Sequence, residues 1–163
     1  MSSMSAVMAR SKVATAPHPV FAIDGISLEV WLGDRYLPDS QVNRGYLGED
    51  FLGLVPAQGW LIDDDELKLA WDRVESVEPG VSTVVPLLVC GDDVDLNCTV
   101  IVAEQVVSEE DVTWQRFGFS RTAGRETGIS TSWITEIPPV TFSRAEFLAA
   151  LSTFKSLSST SWK

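Results

Sequence analysis

Cysteine and histidine are almost missing from this chain: Cys90 and Cys98 are its two thiols and His18 is its one imidazole. Two thiols are too few for a disulfide-stapled secreted scaffold, and with a single histidine they fall short of the four ligands a structural zinc site needs. A reducing cytoplasm is the simplest compartment this implies. There Cys90 and Cys98 are buried free thiols; a disulfide between them, across a hairpin, belongs to an oxidising one. His18 lies between Pro17 and Pro19, where nothing in the sequence fixes it against a nucleophile or a carboxylate. That argues against Ser-His-Asp and Cys-His catalysis. The Gly-x-Ser-x-Gly, Gly-x-Gly-x-x-Gly and phosphate-cradling Gly-x4-Gly-Lys-Ser/Thr patterns are absent as well. The expectation is a protein without cofactor or metal that is not an enzyme.

Long apolar runs and positive charge are also scarce. No run approaches the roughly 18 residues that span a bilayer. Lys and Arg number 12 against 23 Asp and Glu, a net charge of −11. Such a balance repels phosphates and anionic lipid, which normally need clustered cations, so no nucleic acid and no membrane partner is expected. The acidity nevertheless sits on a folded chain: 45% hydrophobic residues, 21% charged residues and six tryptophans are not the profile of disorder. The length suits one domain. Residues 1–19 carry three methionines, Arg10 and Lys12 but no acid and no apolar signal core, which reads as a flexible tail before an ordered domain over 20–155. They are short and weakly basic for a transit peptide. The Ser-rich 156–163 is expected to fray.

What is there is dense in β-branched and aromatic residues. Two such runs flank Asp24-Gly25 between Val20 and Leu32, a hairpin signal. Gly33 to Gly59 is rich in Gly, Pro, Asn and Asp and predicts a long connection with one short helix. Between Trp60 and Val74 the alternation of Leu67, Leu69 and Trp71 favours a strand, although the acidic start also suits a helix N-terminus. Ser82–Val89, Asp95–Val107 and Val112–Phe119 predict three antiparallel strands. The Gly, Ser, Thr and Arg of 120–132 read as an exposed loop, locally basic at Arg121 and Arg125. Ser143 with Glu146 three residues on is a capping box, and Phe142 and Phe147 stand at the staple positions. Phe147, Leu148, Leu151 and Phe154 then make one apolar helix face. Trp31, Trp60, Trp71, Trp114 and Trp133 are mainly core candidates.

Charge is unevenly spread. From Glu49 to Asp111 there are sixteen acids against Lys68 and Arg73, a segment charge of −14 with +3 on the remainder. The acids cluster at Asp63, Asp64, Asp65 and Glu66, at Asp92, Asp93 and Asp95, and at Glu109, Glu110 and Asp111. Any one acidic turn is ordinarily a solvated cap. Three in one segment point to an electrostatic binding face, with Trp60 beside the first as its apolar anchor. Asp93, Asp95, Asn97 and Glu104 also fall at positions 1, 3, 5 and 12 of an EF-hand calcium loop. Cys98 stands where that loop needs glycine, and the β-prone run Thr99–Ala103 stands where it needs a turn and a helix.

The segment from Val85-Pro-Leu-Leu-Val-Cys90-Gly-Asp-Asp-Val-Asp95 through Leu-Asn-Cys-Thr-Val-Ile-Val-Ala-Glu104, followed by Val112-Thr-Trp114-Gln-Arg-Phe-Gly118, resembles immunity proteins of polymorphic toxin systems, in particular those of contact-dependent growth inhibition. Trp31-Leu32-Gly33 and the Phe142 to Phe154 helix fit the same resemblance. It implies a protein that binds a cognate toxin domain in the cytoplasm and blocks it, many such toxins being nucleases. An acidic inhibitor suits the basic groove of a nuclease. No site residue transfers by motif, so the candidates rest on charge.

The sequence thus predicts an α+β domain: an antiparallel sheet of about five or six strands with the C-terminal helix packed on one face. Its expected function is stoichiometric inhibition of a cognate, basic toxin domain. An acidic adaptor module and a carboxylate enzyme are the alternatives left open. Paired acids in an apolar pocket would mark the enzyme, and acids on a convex surface the binder.

Overall fold

The computed structural model describes residues 1–36, 53–97 and 99–161. The chain is α+β. A three-stranded antiparallel sheet is formed by β1 (Met4–Ala9), β2 (His18–Ile23) and β3 (Ile26–Ser27). A six-stranded one has the order β4 (Leu54–Pro56), β5 (Ser82–Cys90), β6 (Val100–Val107), β7 (Asp111–Ser120) and β8 (Thr131–Ile134), with β9 (Val140–Ser143) pairing the first half of β7. The described helices are α1 (Leu28–Arg35), α2 (Ala57–Trp60), α3 (Asp64–Val74) and α4 (Arg144–Ser161), with a short 3-10 turn at Gly124–Glu126.

The expected meander is β5-β6-β7, antiparallel throughout. Successive side chains of a strand point to opposite faces, and the core divides accordingly. Val100 and Val102 of β6 join Val89, Leu61 and Ala70 in one apolar cluster, while Ile101 and Ala103 join Trp114, Phe117, Phe142 and Phe147 in the other. The C-terminal helix closes the larger cluster. The amide of Glu146 donates to Ser143 Oγ at 3.0 Å, and the Phe142 and Phe147 rings meet at 6.0 Å, so cap and staple form as expected. Phe154 stacks on Phe21 at 4.5 Å, whereas Leu148 is exposed rather than part of the apolar face. The Glu146 carboxylate does not complete the reciprocal box; it accepts from the Met4 amide at 2.8 Å.

Residues 1–19 are not a flexible tail: Met4 to Ala9 pair with Ile23 to His18, and Met4 and Ala6 are buried while Val7 is exposed. The period-two burial of Met4 and Ala6 was hidden by the low hydrophobicity of the Ser and Ala around them. At the other end α4 continues through Ser161, past the expected domain limit at 155; the Ser158 and Ser159 hydroxyls donate to the carbonyls of Phe154 and Lys155 four residues back. Trp162 lies outside the described residues.

Two strand readings become helices. After the Asp24-Gly25 turn, with both φ angles positive at 51° and 82°, the second run pairs over only two residues and then coils into α1. Leu28, Trp31 and Leu32 bury one face at the i, i+3, i+4 spacing. The stretch before Val74 is likewise α3. Leu67, Ala70, Trp71 and Val74 form the i, i+3, i+4, i+7 stripe, which outweighs the alternation of Leu67, Leu69 and Trp71. Asp63 caps the helix, accepting from the Asp65 and Glu66 amides at 2.9 and 3.1 Å, worth about 1 kcal/mol. Two buried glutamines clamp α3 to the sheet: Gln58 donates to the Ala70 and Pro86 carbonyls, and Gln105 donates to Val74 O while accepting from the Trp114 indole. Of the expected 33–59 connection, residues 37–52 lie outside the described residues; α2 is a short helix within the described part.

Candidate functional site

Two of the three acidic clusters converge. Asp63, Asp64, Asp65 and Glu66 form the cap and first turn of α3, and Asp92, Asp93 and Asp95 occupy the β5–β6 turn beside it. The join is made by backbone and by Glu66: the Ile62 amide donates to Val94 O at 3.4 Å, and Glu66 Oε1 accepts from the Leu96 amide at 3.3 Å. The Glu66 carboxyl is held above its ordinary pKa, first by partial burial and then by the charges of Asp63 and Asp95, against the opposing Leu96 hydrogen bond. Like charge is therefore concentrated here and only partly offset, Arg125 lying 3.6 Å from Asp65.

The turn is built under strain. Val94 has φ of 47°, a left-handed conformation that a β-branched residue avoids at a cost of about 1–3 kcal/mol. Its side chain is buried in the cluster of Val55, Leu61 and Leu96, and its amide donates to Cys90 O at 2.9 Å. Anchored this way, Val94 holds Asp92 and Asp93 outward, both exposed. Asp95 caps the turn by accepting from the Asn97 amide at 2.9 Å.

Glu109, Glu110 and Asp111 lie elsewhere. Glu109 and Glu110 occupy the β6–β7 turn and Asp111 opens β7, at the opposite end of eight-residue β6 and so about 25 Å from the β5–β6 turn. There the Ser108 hydroxyl accepts from the Asp111 amide, and Glu110 O accepts from the amide of Arg144 at the start of α4. The three clusters do not form one continuous face. Trp60, proposed as the apolar contact, is half-buried against the smaller core cluster, and its ring meets His18 edge-on with centroids 5.1 Å apart. The exposed apolar residue of the edge is Ile62, 75% accessible and directly before Asp63. Composition could not single it out, because only the fold decides which side of the Asp63 cap it takes.

The third wall of the edge is the loop after β7. Arg73 of α3 reaches across to donate to the carbonyls of Val84, Thr127 and Arg125, and the Gly124 amide donates to Leu96 O at 3.2 Å. This brings Arg125 within 3.6 Å of Asp65, an exposed pair, over a shallow cleft of about 360 Å³ lined by Asp65, Lys68, Leu69, Asp72, Arg73 and Arg125. Arg121 turns aside to Ser132 Oγ. The loop read as simply exposed from sequence is thus tied down, with Thr127 buried.

The remaining candidates resolve individually. Glu104, the twelfth position of the calcium-loop pattern, lies on β6 and pairs with Arg116 at 3.1 Å, and Arg116 in turn covers the Trp133 ring. Cys90 carries a free, half-buried thiol; Cys98 lies outside the described residues. His18, read as unanchored, is fully buried on β2. Its Nε2 stands 2.5 Å from Ser11 Oγ and 3.3 Å from the Ser11 amide, and its Nδ1 is 3.1 Å from Pro19 O. Ser11 is itself 4% exposed, which places this contact in the core rather than at an accessible nucleophile. No helix among the described residues is long and apolar enough to cross a membrane. No protein-family model, curated protein or solved structure matches the chain.

Proposed function

We propose that the chain is an acidic immunity protein that binds and neutralises a cognate toxin domain, covering the toxin's basic, substrate-binding surface with the edge formed by α3 and the β5–β6 turn. The observation that carries this reading is the convergence of Asp63, Asp64, Asp65 and Glu66 with Asp92, Asp93 and Asp95 around exposed Ile62. Seven carboxylates, with Arg125 as the cation paired to one of them, offer a phosphate-like potential on an outward surface and an apolar side chain to seat in the partner. The acids stand on a helix cap and a tight turn, both fixed before binding, which lowers the entropic cost of association. A nuclease is the toxin class whose groove this charge suits. The cytoplasm, where such a toxin acts, is the proposed compartment.

The test is capture with the tagged full chain from its source, at low and at moderate salt, with bound proteins identified by mass. The reading expects one basic domain at near-equal stoichiometry, lost when Asp64, Asp65, Asp92 and Asp93 are all changed to Lys. Retention of the same partner by that variant, or recovery only of an endogenous multiprotein assembly, overturns it, the latter in favour of an acidic adaptor.

A further inference from the structure

His18 lies beneath both roots of the acidic edge. On one side its ring contacts Trp60, two residues before Ile62 and three before the Asp63 cap. On the other it holds Ser11, which opens a turn closed by the Ala14 amide to Ser11 O at 3.0 Å and by Arg10 Nε to Ala14 O at 3.1 Å. Within that turn Val13 rests on Gly91, so closely that a Cβ at Gly91 would stand 2.7 Å from Val13 Cγ2. Gly91 begins the turn that carries Asp92, Asp93 and Asp95.

The hydrogen-bonding roles follow from the partners. A carbonyl only accepts, so Nδ1 carries the hydrogen toward Pro19 O, and Nε2 is the acceptor facing two donors of Ser11, its hydroxyl and its amide. A proton added at Nε2 faces those donors. The hydroxyl can turn and accept; the amide cannot. We propose that His18 is a pH-sensitive latch: neutral, it holds the Ser11–Ala14 turn against Gly91 and the acidic edge in place, and protonated, it expels the Ser11 amide and releases that turn from the root of the edge.

Burial lowers the His18 pKa below its ordinary value, so the latch opens on the acid side of neutrality. Among the described residues, the charged groups on the elements packed around it are Arg10 and Lys12 of the turn, Asp92 and Asp93 beyond Gly91, Asp63 beyond Trp60, Glu29, Asp34 and Arg35 on α1, and Arg144, Glu146 and Lys155 on α4; β1 and β2 bear no charge besides His18 itself. Opening therefore frees a segment carrying two cations beside the acids. The effect on partner binding rests on the docking reading above, whereas the latch itself does not.

The experiment is a titration of the isotope-labelled full chain by NMR from pH 7.5 to 4.5, following the single histidine and the amides of Ser11, Val13, Gly91 and, as a control at the far end of β6, Glu109. The Ser11, Val13 and Gly91 amides are expected to shift with the midpoint of His18, and Glu109 not to share it. Ser11→Ala, which removes one donor to neutral Nε2, raises the His18 midpoint, and the Gly91 step moves with it. In His18→Gln the step at Gly91 disappears, leaving any titration due to Glu66. A Gly91 amide that stays still while His18 titrates, or a Gly91 step at the wild-type His18 midpoint that persists in His18→Gln, overturns the latch. A latch that opens while capture of a basic partner is unchanged across the same pH range counts against docking at this edge and leaves the latch standing.

Discussion

Glu109 to Asp111 and the acids of the α3 edge are alike in composition and opposite in setting. At the β6–β7 turn, backbone and hydroxyl bonds close the turn beside the start of α4, where negative charge is favoured by the helix dipole. At the α3 edge the first turn of a helix is faced by a second acidic turn; partial burial and then the neighbouring acids raise the Glu66 pKa, and an exposed isoleucine stands between the two turns. One arrangement is a stable way to end a strand. The other accumulates like charge and holds Val94 in a strained conformation, features that a surface selected for stability alone would shed.

Removing the wall that completes the edge has the largest effect on folding. Arg73→Met leaves the carbonyls of Val84 and Thr127 without their donor and is expected to cost about 2–3 kcal/mol, read from urea denaturation, with faster amide exchange across 124–128. Asp63→Ala removes the α3 cap and should cost about 1 kcal/mol. By contrast Glu109→Ala and Glu110→Ala, exposed and capping nothing through their side chains among the described bonds, should stay within about 0.5 kcal/mol. A larger loss there would erase the distinction between the two regions.

Acidification sharpens the contrast further, because buried groups titrate with opposite signs. The His18 pKa is lowered on folding, so its contribution is present above the unfolded value of 6.5 and is lost as pH falls through the folded one. The Glu29 pKa is raised by burial, and that of Glu66 by burial and its acidic neighbours; stability they contribute is present below the unfolded value of 4.5 and lost as pH rises through their folded values. Thermal melts at pH 7.5 and 5.5 should show His18→Gln losing less stability than wild type on acidification. Glu29→Gln should raise Tm at pH 7.5, since it removes a desolvated charge.

Much of the fold was legible because strong local signals agreed with it. The meander over 82–119 and the Ser143 cap with its Phe142–Phe147 staple required only nearest-neighbour chemistry. The differences at β1 and α3 have separate causes: Met4 and Ala6 are a weak strand pattern in a stretch of low hydrophobicity, whereas Leu67, Leu69 and Trp71 alternate by accident within a helical stripe. The charge of the site was legible and its geometry was not. Which acids meet depends on the β6 strand separating two turns, and the roles of Ile62, Arg73 and His18 depend on contacts 11 to 54 residues or more along the chain, such as Arg73 with Val84 and Thr127.

The most direct test of the docking edge is the association rate with the captured basic partner for two variants, Asp64→Lys with Asp92→Lys at the edge and Glu109→Lys with Glu110→Lys at the distant turn, at low and moderate salt. Both pairs change the net charge by the same amount, so nonspecific steering is matched. The account predicts that the edge variant associates about 10- to 100-fold more slowly at low salt and that the distant variant stays within about twofold of wild type. Equal slowing by the two variants would contradict it, reducing the acidic edge to a share of the overall charge.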